Sequence, residues 1–130
     1  MRFLLIRHAQ TVANEAGRWQ GHTDTPITPT GGTQIECLAQ SLVLAREHCP
    51  TDWRRIALYS SPLGRAWTTA QGVAEALSLP IHPEADLREY DVGIFSGKTP
   101  GEIAIDHPDA AAGFARDRDW NQVPGAEPLS

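Results

Sequence analysis

The sequence predicts an α/β fold with a parallel central sheet. Two short continuous apolar runs, Phe3–Ile6 and Ile56–Tyr59, read as buried strands rather than half-exposed ones. A segment with apolar residues at helical spacing follows each of them. The resulting order of strand, helix, strand, helix is that of a sheet built from parallel crossovers.

The elements follow in chain order. Residues 7–28 contain Gly17, Gly21, Pro26 and many polar groups and read as a long loop, which in a compact domain is usually functional. Thr28-Pro29 has the form of a helix start, with Thr28 as N-cap and proline in the first helical position. Ile35, Leu38, Ala39, Leu42 and Ala45 then recur at helical spacing, and the helix is expected to fade near His48-Cys49-Pro50. Cys37 inside it is expected to be a small buried packing residue. Ser61-Pro62 repeats the cap-then-proline start, and Leu63, Ala66, Ala70, Val73, Ala74 and Leu77 define a second amphipathic helix. An edge strand is expected near Leu79-Pro80-Ile81, a loop over 87–98, short helices over 99–106 and 108–118, and no element over 121–130.

Composition narrows the function classes. With 130 residues the chain fits a single domain, and 41% hydrophobic with 21% charged residues marks it as globular. A net charge of −5 argues against a general nucleic-acid binder but leaves room for a local basic pocket. Cys37 and Cys49 are too few for a disulfide scaffold and lack zinc-ligand spacing. The apolar run at the N-terminus breaks at Arg7, unlike a signal peptide, and no run approaches the ~18 apolar residues of a membrane helix. The expectation is a soluble cytoplasmic protein with neither nucleic-acid nor membrane partners.

In parallel sheets, ligands bind beyond the carboxyl ends of the strands. Arg7-His8 follows the first predicted strand, and Ser60-Ser61-Pro62-Leu63-Gly64-Arg65 follows the second. Parallel strands bring both to one sheet edge. Two guanidiniums there suit an oxyanion, and Arg65 on the first turn of a helix adds free backbone N–H groups. His8 is placed to attack phosphorus as a nucleophile. Taken singly, His8 reads as a hydrogen-bonded loop histidine and Arg65 as a solvated helix residue. Their pairing across two strand ends makes the case. The segment Gly93–Thr99 has three residues between its glycines where a phosphate-binding P-loop has four, and no clear strand precedes it. His22 and Asp24 are weak as metal ligands, and His48, His82 and His107 read as surface residues.

These segments resemble the histidine phosphatase superfamily, in the branch that includes cofactor-dependent phosphoglycerate mutase. Arg7-His8-Ala9-Gln10-Thr11-Val12-Ala13-Asn14 is similar to its Arg-His-Gly signature with Thr and Asn. Residues 17–28, Gly17-Arg18-Trp19-Gln20-Gly21-His22 onward, resemble the segment that closes over the phosphate site, and Gly32 and Gln34 suit the following helix. Ser60–Ala66 with Thr69-Ala70 resembles the second arginine motif. Leu87-Arg88-Glu89-Tyr90-Asp91-Val92-Gly93, closed by Gly97, resembles the loop carrying the acid–base carboxylate. The four motifs stand in the family's order and the similarity runs through essentially all 130 residues.

The resemblance implies a three-layer sandwich with a mostly parallel sheet flanked by helices. It implies a phosphatase acting on small phosphorylated metabolites through a phosphohistidine at His8. Arg7 and Arg65 would clamp the phosphoryl oxygens, and Asn14, Gln20 and Gly21 would add contacts to phosphate or substrate. Glu89 would protonate the leaving oxygen and then activate water; read by itself, it is a solvated loop acid, with Arg88 as its neighbouring partner. No metal or cofactor is implied, since two arginines supply the charge that magnesium supplies elsewhere. Phosphoglycerate mutase-type transfer and a non-catalytic phosphate-binding fragment stand as alternatives. Ala9 replaces the family's usual glycine, and Phe95-Ser96-Gly97 stands where many members have Trp-Glu-Gly. The family's second catalytic histidine lies in a later Ser-His-Gly-like segment that residues 1–130 do not contain, so the reading expects one domain over 1–130, incomplete at its C-terminus.

Overall fold

The computed structural model describes residues 3–48 and 56–128. In chain order the elements are α1 (Val12–Glu15), α2 (Pro29–His48), β1 (Leu58–Ser60), α3 (Gly64–Leu77), β2 (Ile81–Pro83), α4 (Pro100–Asp106) and α5 (Pro108–Asp117). Single 3₁₀ turns occupy Ala85–Leu87, Gly93–Phe95 and Trp120–Gln122. The described residues form two compact units, one drawn from Met1–Thr11 and Pro26–Arg88, the other from Val12–Thr25 and Glu89–Ser130.

In the first unit, α2 starts as its sequence predicts. Thr28 Oγ1 accepts from the Gly31 amide at 3.0 Å, satisfying one of the free donors of the first turn. The expected stop at Cys49-Pro50 lies outside the described residues. Leu42 packs with Val73 and Leu77 of α3 to form the core, extended by Leu38, Val43, Leu58 and Leu79. The two helices meet closely at Gly72, where a Cβ would sit 2.2 Å from Ile35 Cγ2. Cys37 is exposed rather than buried. It lies off the stripe that carries Ile35, Leu38 and Leu42, and helical geometry therefore turns it to solvent.

β1 and β2 pair in parallel, with Leu58 opposite Ile81 and Ser60 opposite Pro83, and α3 is the crossover between them. The expected edge strand thus exists, beginning at Ile81. Helix α3 starts at Gly64 with Leu63 as N-cap, not at Ser61-Pro62. Ser61 Oγ accepts from the Leu63 amide at 3.3 Å, which ties the preceding turn instead of capping the helix. The expected first strand does not form. Phe3, Leu4, Leu5 and Ile6 are 78%, 68%, 91% and 38% exposed, and they pair with no strand among the described residues. An apolar run specifies an extended backbone, but a ladder also needs a neighbour, and that neighbour is not a local property of the sequence.

The second unit is built on aromatic packing. Val92, Phe95, Ile103, Phe114 and Val123 are buried, with Trp19 and Trp120 packed against them. Trp19 meets Phe114 edge-on at 5.8 Å and Trp120 at 5.4 Å. Both short helices expected from sequence are present as α4 and α5. Helix α4 opens with a capping box: Thr99 Oγ1 accepts from the Glu102 amide, and the Glu102 carboxylate accepts from the Thr99 amide at 2.8 Å. The segment read as loop over 7–28 contains α1, and the tail read as irregular carries the turn at Trp120 and a bridge from Ala126 to Val92. Gly93 permits that bridge. It has φ +53°, and a Cβ there would lie 2.3 Å from Pro124 O and from the Ala126 amide nitrogen. No helix among the described residues is long and apolar enough to cross a membrane.

Candidate functional site

The first unit holds Arg7, His8 and Arg65. Although Phe3–Ile6 is not a strand, the residues after His8 are firmly anchored. The Ala9 amide donates to Thr69 Oγ1 at 3.0 Å, and Thr69 Oγ1 donates to the Arg65 carbonyl at 2.8 Å. Thr69 and Arg65 are 4% and 3% exposed. One buried hydroxyl therefore joins the Arg7-His8-Ala9 segment to the helical turn that carries Arg65. Arg65 lies on the first turn of α3, beyond the carboxyl end of β1, as its sequence position predicts.

Gln10 is fixed from the other side. Its amide donates to Gln34 Oε1 at 2.9 Å, its side-chain oxygen accepts from Thr28 Oγ1 at 2.7 Å, and its carbonyl accepts from the Thr28 amide at 3.0 Å. A Cβ at Gly31 would fall 2.2 Å from Gln10 O, so the start of α2 approaches this segment as closely as backbone allows. Thr11, fully buried, bridges to Ile27.

His8 is half-buried, and its Nδ1 lies 2.7 Å from the Ala9 carbonyl oxygen. A carbonyl only accepts, so Nδ1 carries the proton and donates it, and in the neutral ring Nε2 holds the lone pair. Arg7 is exposed. A recess of about 230 Å³ beneath Arg7 and Ala9 has Ile6, Ile35 and Leu38 among its walls, which suits apolar groups better than an oxyanion.

The second unit holds the other four predicted residues. Asn14 is half-buried on α1. Gln20 is 8% exposed, and its Oε1 accepts from Thr25 Oγ1 at 3.1 Å, while Thr25 Oγ1 accepts from the Ala13 amide at 3.1 Å. Gly21, at φ +51°, lies against the segment Tyr90–Val92, where a Cβ would stand 2.9 Å from Val92 and 3.1 Å from Tyr90 O. The structure thus brings Gly21 to the loop that carries Glu89. Glu89 is exposed and accepts from the Tyr90 amide at 3.2 Å, whereas the Arg88 guanidinium donates to Ala85 O at 3.0 Å. The Tyr90 hydroxyl donates to Glu127 O, and burial, with Glu127 and Asp119 adding to it, pushes this phenol's pKa up. His22 Nδ1 stands 3.6 Å from Asp91 Oδ2, and Asp91 Oδ1 accepts from the Gly93 amide at 3.0 Å.

Thr69 and Gln10 stand inside the sequence motifs, but their holding roles are visible only in the structure. Thr69 follows Arg65 by four positions, on the same face of a helix, and that spacing is the local signal for its contact. The bidentate pair between Arg18 and Glu102 was also missed, with N–O distances of 2.5 and 2.9 Å. Its hydrogen bonds, joined by the Thr99 amide, lower the Glu102 carboxyl pKa to about 2, and they raise that of Arg18.

The first unit thus holds an imidazole whose Nδ1–H is committed to the Ala9 carbonyl and a buried guanidinium on a helix N-terminus. The second unit carries an exposed carboxylate, Glu89. The profile of the histidine phosphatase superfamily (branch 1) matches residues 3–130. Phosphoserine phosphatase 1 of Hydrogenobacter thermophilus is 32% identical over 130 residues, covering all of this chain and 58% of its own length. The metal-independent phosphoserine phosphatase of Arabidopsis thaliana is 33% identical over 123 residues, covering 94% of this chain and 49% of its own. The native structure of a mycobacterial glucosyl-3-phosphoglycerate phosphatase superimposes with a TM-score of 0.71 at 32% identity, covering 93% of this chain and 53% of that one. The chain spans about half the length of these relatives, and its α/β fold is theirs. It belongs to the histidine phosphatase superfamily, branch 1.

Proposed function

We propose that this chain carries the nucleophilic half of a phosphatase that hydrolyses small phosphorylated metabolites. The observation that carries the reading is His8. Its Nδ1–H is committed to the Ala9 carbonyl, leaving Nε2 as nucleophile, and its segment is tied through Thr69 to the turn bearing Arg65. Nε2 attacks phosphorus as the bond to the leaving oxygen breaks, and Glu89 gives that oxygen its proton. Glu89 then takes a proton from water, whose oxygen attacks phosphorus. The N–P bond breaks, and inorganic phosphate leaves with His8 restored. Arg7 and Arg65 neutralise charge on the phosphoryl oxygens, and Asn14, Gln20 and Gly21 contact phosphate or substrate. The relatives above, all named as phosphatases, favour hydrolysis over mutase-type transfer. The cytoplasm is the compartment we assign.

Turnover of an aryl phosphate by the full chain tests this. His8→Asn is expected to lower kcat on the order of 1000-fold or more, the effect of deleting a nucleophile. Wild-type turnover in that variant would overturn the reading.

A further inference from the structure

We propose that Arg18 and Glu102 form a positioning pair that sets Gln20 and Gly21 for phosphate binding. The inference rests on the phosphate-contact role just proposed for those two residues. Arg18 immediately precedes Trp19-Gln20-Gly21, and Glu102 lies 84 positions away in the first turn of α4. Arg18 NH1 donates to Glu102 Oε2 at 2.5 Å and to the Gly97 carbonyl at 2.7 Å, and NH2 donates to Glu102 Oε1 at 2.9 Å. A planar guanidinium held in three directions fixes orientation as well as distance.

The backbone repeats the grip. The Trp19 amide donates to Lys98 O at 3.0 Å, and the Gly97 amide donates to Trp19 O at 2.7 Å. Gln20 and Gly21 are the next residues along the chain. A Cβ at Gly21 would meet Val92 at 2.9 Å, and Gln20 Oε1 accepts from Thr25 Oγ1. Arg18 is the charged anchor of the strap that presents both, beside the backbone bonds of Trp19.

Glu102 is itself immobilised, because the capping box with Thr99 shares its Oε2. The side chains of Arg18 and Glu102 are 38% and 43% exposed, and pairs at such sites add little to stability. Three-directional geometry with a small stabilising contribution is what a positioning role requires.

Orthovanadate binding to the full chain, measured by calorimetry, is the test. Arg18→Met and Glu102→Gln are each expected to raise Kd about 10-fold, within the ~100-fold that misplacement by about 1 Å can produce. Melting temperature is followed in parallel, and Glu102→Gln, which keeps side-chain volume, serves if Arg18→Met fails to fold. An unchanged Kd in a folded single variant overturns the inference, whatever the melting temperature does. Arg65→Ala separates the two levels. If it weakens binding while the Arg18 and Glu102 variants do not, only the positioning role is wrong. If it too leaves Kd unchanged, the phosphate reading fails.

Discussion

The Ala9 amide and the Thr69 hydroxyl, 3.0 Å apart, connect the histidine loop to the second-arginine helix. Thr69 passes the connection on to the Arg65 carbonyl, and the hydroxyl is buried. Thr69→Val keeps the shape but orphans the Ala9 amide. Leaving a buried donor unsatisfied costs about 1–3 kcal/mol. Denaturant unfolding is expected to show a loss of that size for Thr69→Val and a smaller one for Thr69→Ser, which keeps the hydroxyl. Equal stability of Thr69→Val and wild type would contradict the link.

Acid titration of stability isolates Glu102. Its carboxyl pKa falls from 4.5 to about 2 in the folded chain because Arg18 and the Thr99 amide bind the ionised form. A depressed carboxylate contributes stability above its unfolded value and loses it as pH falls through the folded one. The contribution is therefore present above about pH 5 and fades between roughly pH 5 and 2. Because the pair is half-exposed and screened by solvent, Glu102→Gln is expected to flatten the pH dependence of the unfolding midpoint in that window only slightly. An unchanged slope would show that the pair does not form in solution.

Gly93 gives a prediction about backbone alone. At φ +53° with Pro124 O and the Ala126 amide 2.3 Å from any Cβ, the position excludes every other residue. Gly93→Ala is expected to destabilise by more than about 1 kcal/mol, measured as a shift in unfolding midpoint. A neutral effect would mean that the bridge from Val92 to Ala126 is absent in solution.

Helices α2, α4 and α5 were legible because periodicity, proline starts and caps are local signals, as Thr28 and Thr99 show. The parallel sheet expected from element order is present, but between β1 and β2, without the strand expected at Phe3–Ile6. The run Phe3–Ile6 misled because its pattern is local but its pairing is not. Ser61 misled because its hydroxyl bonds a turn amide rather than the helix. In the site, Arg7, His8 and Arg65 were visible as chemistry, whereas Thr69, Gln10 and Arg18 act by holding others. Arg18 meets a partner 84 positions away, and only the Thr-x-x-Glu signature at Thr99–Glu102 hinted at the fixed carboxylate.

Hydrolysis is expected to persist in excess chelator. On the proposed reading, the guanidiniums of Arg7 and Arg65 supply the positive charge that a divalent ion supplies elsewhere. Aryl phosphate turnover measured with and without EDTA should agree. Loss on chelation, restored by magnesium or zinc, would refute the assignment of charge stabilisation to the arginines.

His8 Nε2 is the proposed phosphoryl acceptor, and trapping the intermediate tests that role most directly. The full chain is mixed with substrate, quenched in alkali to preserve N–P bonds, digested and analysed by mass spectrometry. The peptide carrying His8 is expected to gain about 80 Da, one phosphoryl group, as a nucleophilic histidine requires. Turnover with the added mass on a serine, or with no labelled peptide at all, would contradict it.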